Sequence, residues 1–370
     1  METRKKLSGG KKAAIIILTV IICIVLTVII AAACIFNHYY NKINYRPIDT
    51  TDKIVSITDE TDFPDTTGAP VTSKDPTTSG DPTTSGNPVT TPPNTDPIIP
   101  PSTEIDPDYV MQFGKHIKNI LLIGTDARTI NDRGRSDTMI LASINEKTGQ
   151  IVLVSFMRDT YIPNIPALGS GNRLNAAYAA GGVSLLLSTL KENYHIDIDR
   201  YVRVNFSGFT NIVNKLGGID LELTQDEINY LELGDDVKPG MNHLDGAKAL
   251  DYCRCRYVGL GSESGDFART ARQRKVLGLL LDGIRGKNVF EIGELLDEFL
   301  PEVATNITRS EMLSMVSKSG TYLGYEFVQY RLPVEGSWKY ATIRKMSVIT
   351  VDFAKNTIAL EKMINGTYGK

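Results

Sequence analysis

Residues 13–36, AAIIILTVIICIVLTVIIAAACIF, carry no charge and almost no polar side chain. At about 1.5 Å of rise per helical residue, roughly 20 apolar residues cross the hydrocarbon core of a bilayer. Arg4, Lys5, Lys6, Lys11 and Lys12 precede the run, and few cations follow it until Lys42 and Arg46. This asymmetry predicts a cytoplasmic tail over 1–12, with everything after residue 37 outside the membrane. A cleaved signal peptide is the competing reading, because Ala31-Ala32-Ala33-Cys34 faintly resembles a lipoprotein cleavage site. Signal-peptide apolar regions usually span about 7–15 residues, and this run is longer. An uncleaved, single-pass transmembrane helix over 13–36 is expected.

Beyond it, residues 37–107 are expected to form a disordered linker. From 47 onward the stretch is rich in Pro, Thr, Ser, Asp and Gly, with the near-repeat DPTTSGDPTTSGNP at 75–88. Such a composition buries too little apolar surface to fold. Its prolines favour extended polyproline II, and roughly 60 residues at about 3.1 Å each reach on the order of 150–200 Å when extended. The linker reads as a spacer, or equivalently as a stalk holding a domain in or beyond a cell-wall layer. Cys23 and Cys34 fall in the apolar run, and Cys253 and Cys255 are too close in sequence to be good disulfide partners. An external domain without a disulfide framework points to a bacterial envelope.

Over 108–370 short apolar runs alternate with helical patterns. NILLIG (119–124), DTMILASI and IVLVSF read as strands, the latter two as a hairpin joined by NEKTGQ. RLNAAYAAGG and VSLLLSTLKENY read as helices, YVRVNF as a strand, SGFTNIVNKLG as a helix closed by glycine, and IDLEL as a strand. LDGAKALDY starts a helix that Asp245 can cap. FARTARQRKVLGLLLDGIRG is a long helix, and others fit 290–300 and 308–318, the latter after the capping pattern Thr308-x-x-Glu311. YEFVQYRL closes the strands and DFAKNTIALEKMI the helices. The alternation predicts a three-layer α-β-α domain of the α/β class with a mixed central sheet.

The stretch DYCRCRYVGLGSESGDFARTARQRK (251–275) is strongly cationic in a chain whose formal net charge is −3. On a helix at 268–285, Val276, Leu280 and Ile284 form an apolar stripe that Arg269, Arg272 and Gln273 continue, while Arg274 and Lys275 point away. Buried arginine is rare unless paired. Internal salt bridges to Asp266 or Asp251 are the simplest account of a single arginine, but for Arg254, Arg256, Arg269 and Arg272 together the nearby acids are too few. Guanidinium forks match phosphate oxygens, so the cluster suits a phosphorylated ligand. If 252–257 are extended, Arg254 and Arg256 share one face and the two cysteines the other, as small core hydrophobes.

Asp126 follows the first strand and Asp137 opens the second. Each alone reads as a turn or cap residue. Together with the arginines they suggest a metal–pyrophosphate site, since Mg²⁺ commonly takes one or two carboxylates plus substrate phosphates. Arg158 and Asp159 end the third strand and join the same edge. The four histidines show no paired ligand spacing, which argues against zinc. No P-loop and no G-x-S-x-G elbow occurs. The basic residues are not interleaved with aromatics, and nucleic acid is not an expected partner.

These motifs taken together resemble the LytR-CpsA-Psr family of cell-wall glycopolymer transferases. The resemblance rests on NILLIGTDAR, GRSDTMILASIN, SFMRDTYIPNI, RLNAAYAAGG, YVRVNFSGFTNIVNKLGGIDLEL, LDGAKALDYCRCRY and GDFARTARQRKVL, and covers about 119–286 most strongly. It implies an α/β fold with a long apolar pocket for a polyprenyl chain, to which the helices around 174–190 and 206–216 are candidate walls. It also implies a membrane-anchored, Mg²⁺-dependent (or Mn²⁺-dependent) phosphotransferase that moves a polyprenyl-pyrophosphate-linked glycan onto peptidoglycan. Asp126 and Asp137 match the metal-holding acids. Arg158, Arg254, Arg256, Arg269, Arg272 and Gln273 match pyrophosphate-binding positions, and Arg128 is grouped with them. Asp159 and Asp266 are candidate bases by position, with Arg158 and Arg256 as catalytic arginines. Met157 stands where the family usually has proline, and Asn214 where aspartate is common. A lipid pyrophosphatase and a non-catalytic polyprenyl-phosphate sensor are the alternative readings. The expected location is the membrane of a Gram-positive bacterium, with the domain outside.

Overall fold

The computed structural model describes residues 34–48 and 105–369, apart from 107, 108, 130, 167, 232–236, 262, 286 and 288. The expected transmembrane helix and most of the expected linker lie outside the described residues. No helix among the described residues is long and apolar enough to cross a membrane.

The strands are β1 (Asn44–Tyr45), β2 (Ile117–Thr125), β3 (Ser136–Asn145), β4 (Gln150–Phe156), β5 (Tyr161–Ile162), β6 (Asn172–Arg173) and β7 (Arg200–Asn205). They continue with β8 (Ile219–Leu223), β9 (Gly240–Leu244), β10 (Val303–Thr305), β11 (Glu326–Leu332), β12 (Trp338–Ile343) and β13 (Met346–Val351). The central sheet has seven strands in the order β1-β10-β7-β2-β3-β4-β11. It is mixed: β7 runs parallel to β2, β3 antiparallel to both β2 and β4, and β11 parallel to β4. The β3–β4 hairpin has the expected polar turn.

The principal helices are α1 (Leu174–Tyr194), α2 (Phe206–Leu216), α3 (Gln225–Leu231), α4 (Gly246–Arg254), α5 (Gly265–Arg285), α6 (Val289–Phe299), α7 (Arg309–Ser317) and α8 (Phe353–Ile364). The two helices expected around Gly181 and Gly182 are one element with a kink, because Gly182 adopts φ 64° there. Asp245 caps α4 by accepting from the Lys248 backbone N–H, and Thr308 and Glu311 form a reciprocal capping box on α7.

Alternation along β4 sorts the layers. Val152, Val154 and Phe156 join Leu121, Ile123, Met139 and Leu141 in a core that packs on α1 and α8. Ser155, pointing the other way, accepts from Arg274 of α5 at 2.9 Å. Helices therefore cover both sheet faces, giving three layers. Arg274 corrects the expectation that it points away. It is buried, because α5 lies between the sheet on one side and a second core, formed with Val213, Tyr252, Val276 and Leu280, on the other.

The linker boundary also needs correction. Asn44–Tyr45 pairs in parallel with β10 as an edge strand, Ile43 is buried, and the Tyr201 hydroxyl donates to the Arg46 carbonyl at 2.9 Å. Residues 44–46 thus belong to the folded domain. The rest of the expected linker, 49–104, lies outside the described residues.

Candidate active site

Antiparallel pairing of β2 with β3 and of β3 with β4 brings the C-terminal ends of β2 and β4 to the N-terminal end of β3. Ligands in open α/β sheets bind outside the carboxyl ends of strands. At this edge Asp126 follows β2, Asp137 is the second residue of β3, and Met157-Arg158-Asp159 follow β4. The first turn of α5 brings Asp266 and Arg269 to the same place.

Arg158 is the hub. Its Nη1 donates to Asp137 Oδ1, and its Nε lies 3.7 Å from Asp159 Oδ2 and 3.6 Å from Asp266 Oδ1. Arg269 donates twice to Asp266, at 2.6 and 2.9 Å, and its Nη1 donates to the Asp137 carbonyl at 2.7 Å. Arg256 Nε stands 3.8 Å from Asp266, and Arg173 Nε 3.5 Å from Asp159. Burial would raise the Asp137 carboxyl, but Arg158, Arg269 and Arg135 hold it below its ordinary value. Asp266 is likewise pushed up by burial and held lower by Arg269, Arg158 and Arg256. Asp159 goes the other way: burial raises it, and the negative charge of Asp266 adds to that against the opposing pull of Arg158. Asp159 Oδ1 and Arg158 Nε are buried without hydrogen-bond partners.

Asp126 is built into the turn between β2 and β3. It accepts from the Arg135 backbone N–H at 2.6 Å and from Arg135 Nε at 3.1 Å. A Cβ on Gly134 (φ +64°) would stand 2.7 Å from the Ala127 nitrogen and from Asp126 Oδ1, so the turn closes only around glycine. Among the described residues no group of three or more His, Cys, Asp or Glu could hold a metal ion. A hard cation of the Mg²⁺ type needs only one or two carboxylates from the protein and completes its shell with phosphate oxygens and water. Asp126 and Asp137 are each paired with an arginine, Arg135 and Arg158 respectively.

The remaining predicted residues are not brought together. Arg272 is wholly buried, donating to Glu227 and to the carbonyls of Val258 and Gly259. The expectation that nearby acids are too few is therefore corrected: Glu227 supplies one from α3. Its signal was legible as a second capping pattern, Thr224-x-x-Glu227, in which Oε2 accepts from the Thr224 N–H at 3.0 Å and leaves Oε1 for Arg272. Gln273 reaches only toward the Cys253 carbonyl, at 3.5 Å. Arg254 is the last residue of α4 and stacks over Phe206 at 5.3 Å, so 252–257 are not one extended run, and Arg256, beyond the helix end, is exposed. Cys253 and Cys255 are buried as expected, and burial pushes the Cys253 thiol up to about 12. Arg128 is exposed. The helices at 174–190 and 206–216 contribute to the two cores.

Sequence reasoning missed the β12–β13 hairpin. Its backbone is tied to the site by the Ile349 N–H, which donates to the Asp159 carbonyl at 2.9 Å. The hairpin closes one side of a pocket of ≈ 270 Å³ lined by Asp159, Arg256, Tyr257, Asp266 and Tyr340 among others.

The model of the LytR_cpsA_psr family matches residues 101–358. The chain belongs to the LytR-CpsA-Psr family. Its curated relatives in that family include a polyisoprenyl-teichoic acid–peptidoglycan teichoic acid transferase TagU of Bacillus cereus, 36% identical over 202 residues, or 53% of this chain and 62% of the relative. The protein of the same name from Enterococcus faecalis is 36% identical over 197 residues, 52% of this chain and 63% of the relative. The matches thus span a little under two thirds of these relatives. Among solved structures, protein gbs0355 of Streptococcus agalactiae superposes with a TM-score of 0.57 at 28% identity, covering 68% of this chain and 87% of its own. TagT bound to LI-WTA superposes with a TM-score of 0.55 at 24% identity, covering 72% and 94%, and shares the mixed-sheet α/β fold.

Proposed function

We propose that this LytR-CpsA-Psr protein is a phosphotransferase that moves a glycopolymer from a polyprenyl pyrophosphate carrier to peptidoglycan and releases polyprenyl phosphate. The observation that carries the reading is the meeting of Arg158, Arg256 and Arg269 with Asp159 and Asp266 beside one open pocket. The names of the TagU relatives support the same substrate classes.

In this mechanism a sugar hydroxyl of peptidoglycan attacks the glycan-proximal phosphorus. The bond from that phosphorus to the bridging oxygen breaks, and polyprenyl phosphate departs with the electron pair. Asp159 takes the hydroxyl proton: its carboxyl is raised and meets Arg158 and Arg173 only at 3.7 and 3.5 Å, whereas Asp266 accepts two hydrogen bonds from Arg269. Arg158 and Arg256 stabilise charge developing on the phosphoryl oxygens. Asp126 and Asp137 would hold Mg²⁺ or Mn²⁺, which supplies further neutralisation of the pyrophosphate. Arg128, which is exposed, and Arg254, which stacks over Phe206, are assigned to the pyrophosphate of the donor. The apolar run 13–36 anchors the chain in the membrane with the domain outside, as suits a wall enzyme of a Gram-positive cell.

The test is turnover by the full chain in nanodiscs with a lipid-pyrophosphate glycan and soluble peptidoglycan fragments. Transfer to the fragment with stoichiometric polyprenyl phosphate supports the reading. Glycan phosphate released to water at the same rate with or without fragments identifies a pyrophosphatase, and donor binding without turnover identifies a sensor.

A further inference from the structure

Two tyrosines are exposed at the mouth of the pocket. Tyr257 is 81% exposed and Tyr340 60%. Tyrosine is favoured at binding surfaces because one end of the ring is apolar and the other polar. Neither ring is loose. Tyr340 meets Trp338 edge-on at 5.2 Å, Trp338 packs on Phe267 of α5 at 4.6 Å, and Arg331 lies over Phe267 at 4.4 Å. Tyr257 meets Tyr230 of α3 at 5.2 Å. The hairpin and α3 therefore hold the two rings on a pocket that has Asp159 and Asp266 in its lining.

The pocket's chemistry separates the possible occupants. Drug-sized ligands fill about 300–1,000 Å³, and this pocket measures ≈ 270 Å³, room for one ring-sized group. A prenyl chain needs a long apolar lining, and Asp159, Asp266 and Arg256 do not provide one. A pyrophosphate needs cations, and this wall offers two phenols and two carboxylates against one arginine. A pyranose ring fits: it has an apolar C–H face for an aromatic ring and a rim of hydroxyls for carboxylates and a phenol. Tyrosine pairs an apolar body with a polar tip in the same way.

We propose that Tyr340 and Tyr257 form the acceptor subsite, in which an amino-sugar ring of the peptidoglycan glycan strand stacks on the tyrosines with a hydroxyl directed at Asp159. This rests on the transferase reading for the identity of the sugar, but its geometry can be tested without turnover. Both are binding residues; neither takes part in the bond changes.

Trp338 is the only tryptophan of the chain and touches Tyr340, so its emission reports on the pocket. The full chain in nanodiscs, without donor, is titrated with a soluble tetrasaccharide released from peptidoglycan by a muramidase. Equilibrium dialysis with the labelled tetrasaccharide runs alongside. Saturable binding is expected, weakened about tenfold by Tyr340→Ala and by Tyr257→Ala and restored to near wild type by Tyr340→Phe, which keeps the stacking face. Affinity for geranylgeranyl pyrophosphate should not change in any of the three. Unchanged tetrasaccharide affinity in both alanine variants overturns the proposal, as does an equal loss of pyrophosphate affinity, which would assign the tyrosines to the donor. Tyrosine-dependent sugar binding in a protein that transfers nothing leaves the subsite standing and removes the transferase reading. Normal transfer kinetics in both alanine variants does the reverse.

Discussion

Glu227 Oε1 accepts from Arg272 Nη2 at 2.8 Å and from Nε at 3.2 Å inside the protein, with 0% of the arginine side chain and 2% of the glutamate side chain exposed. The pair joins α3 to α5 and turns what reads in sequence as a ligand-binding cation into an internal strut. Val258 and Gly259 carbonyls take the other guanidinium protons, so the loop leading to Arg256 and Tyr257 hangs on the same group.

Breaking one side of such a pair leaves a bare buried charge and costs about 3–5 kcal/mol. Arg272→Ala and Glu227→Ala should each lower the melting temperature sharply in the ligand-free protein. The combined Arg272→Met, Glu227→Leu change should recover much of the loss, because well-packed apolar replacements of buried ion pairs are often neutral. Thermal unfolding of the three variants decides the matter. Unchanged melting of Arg272→Ala together with lost pyrophosphate binding would return Arg272 to the ligand.

What was legible in the sequence was local. Asp245, the Thr308–Glu311 box and the β3–β4 hairpin each involve residues a few positions apart, and each announces itself by residue type. The Arg272–Glu227 pair spans 45 positions, and periodicity cannot report which acid from another helix meets a given face. The β12–β13 hairpin escaped for a different reason. Its turn residues Arg344 (φ 50°) and Lys345 (φ 66°) occupy the left-handed region without the Asn or Gly that normally signals it. β1 contributes only two residues beside a Pro/Thr-rich stretch, too few to show alternation. The acids and arginines of the sheet edge were found because strand ends are readable. Their hub-like arrangement around Arg158 was not, since it depends on how α5 docks.

Asp159 and Asp266 set the expected pH dependence. A base must be deprotonated, so turnover should rise with pH through the raised value of Asp159, above the ordinary aspartate value of about 3.9. The effect on stability has the opposite sign. A raised carboxyl binds its proton more tightly in the folded state, so its contribution is present at low pH and fades as pH climbs through that value. Asp159→Asn should remove the ascending limb of the pH–rate profile and reduce turnover by about 10²–10⁴, with melting at neutral pH unchanged or slightly raised. An ascending limb that survives in Asp159→Asn places the base elsewhere.

Asp126 and Asp137 sit on adjacent strand ends, and each is occupied by an arginine. If they share one cation, Asp126→Ala and Asp137→Ala should each raise the Mg²⁺ concentration needed for half-maximal turnover. The double variant should be scarcely worse than either single, because groups that act as a unit are not additive. Calorimetric titration of Mg²⁺ into protein saturated with a soluble prenyl pyrophosphate gives a readout independent of turnover. Wild-type Mg²⁺ affinity and full activity in Asp137→Ala would remove that residue from the site.

The docked segment before the Pro/Thr-rich stretch makes the last prediction. Arg46 donates its N–H to the Thr305 carbonyl at 2.8 Å and accepts from the Tyr201 hydroxyl, Tyr45 lies opposite Thr305, and Lys42 reaches Asp297 at 2.7 Å. These contacts tie residues 42–46 to the β10 side of the sheet. A chain trimmed to 105–370 loses them together with the burial of Ile43. At about 0.5–1.5 kcal/mol per hydrogen bond, the backbone contacts alone amount to on the order of 2–4 kcal/mol, so the trimmed chain should melt at a lower temperature than the full one. Replacing 49–104 by a short Gly/Ser linker, with 1–48 retained, should leave melting nearly unchanged, because that stretch joins two points of one domain. A stalk predicts the reverse ranking: trimming harmless to stability, and shortening harmful to transfer because the domain could no longer reach the wall. Melting and transfer measured on both variants separate a domain held close to its anchor from one held at a distance.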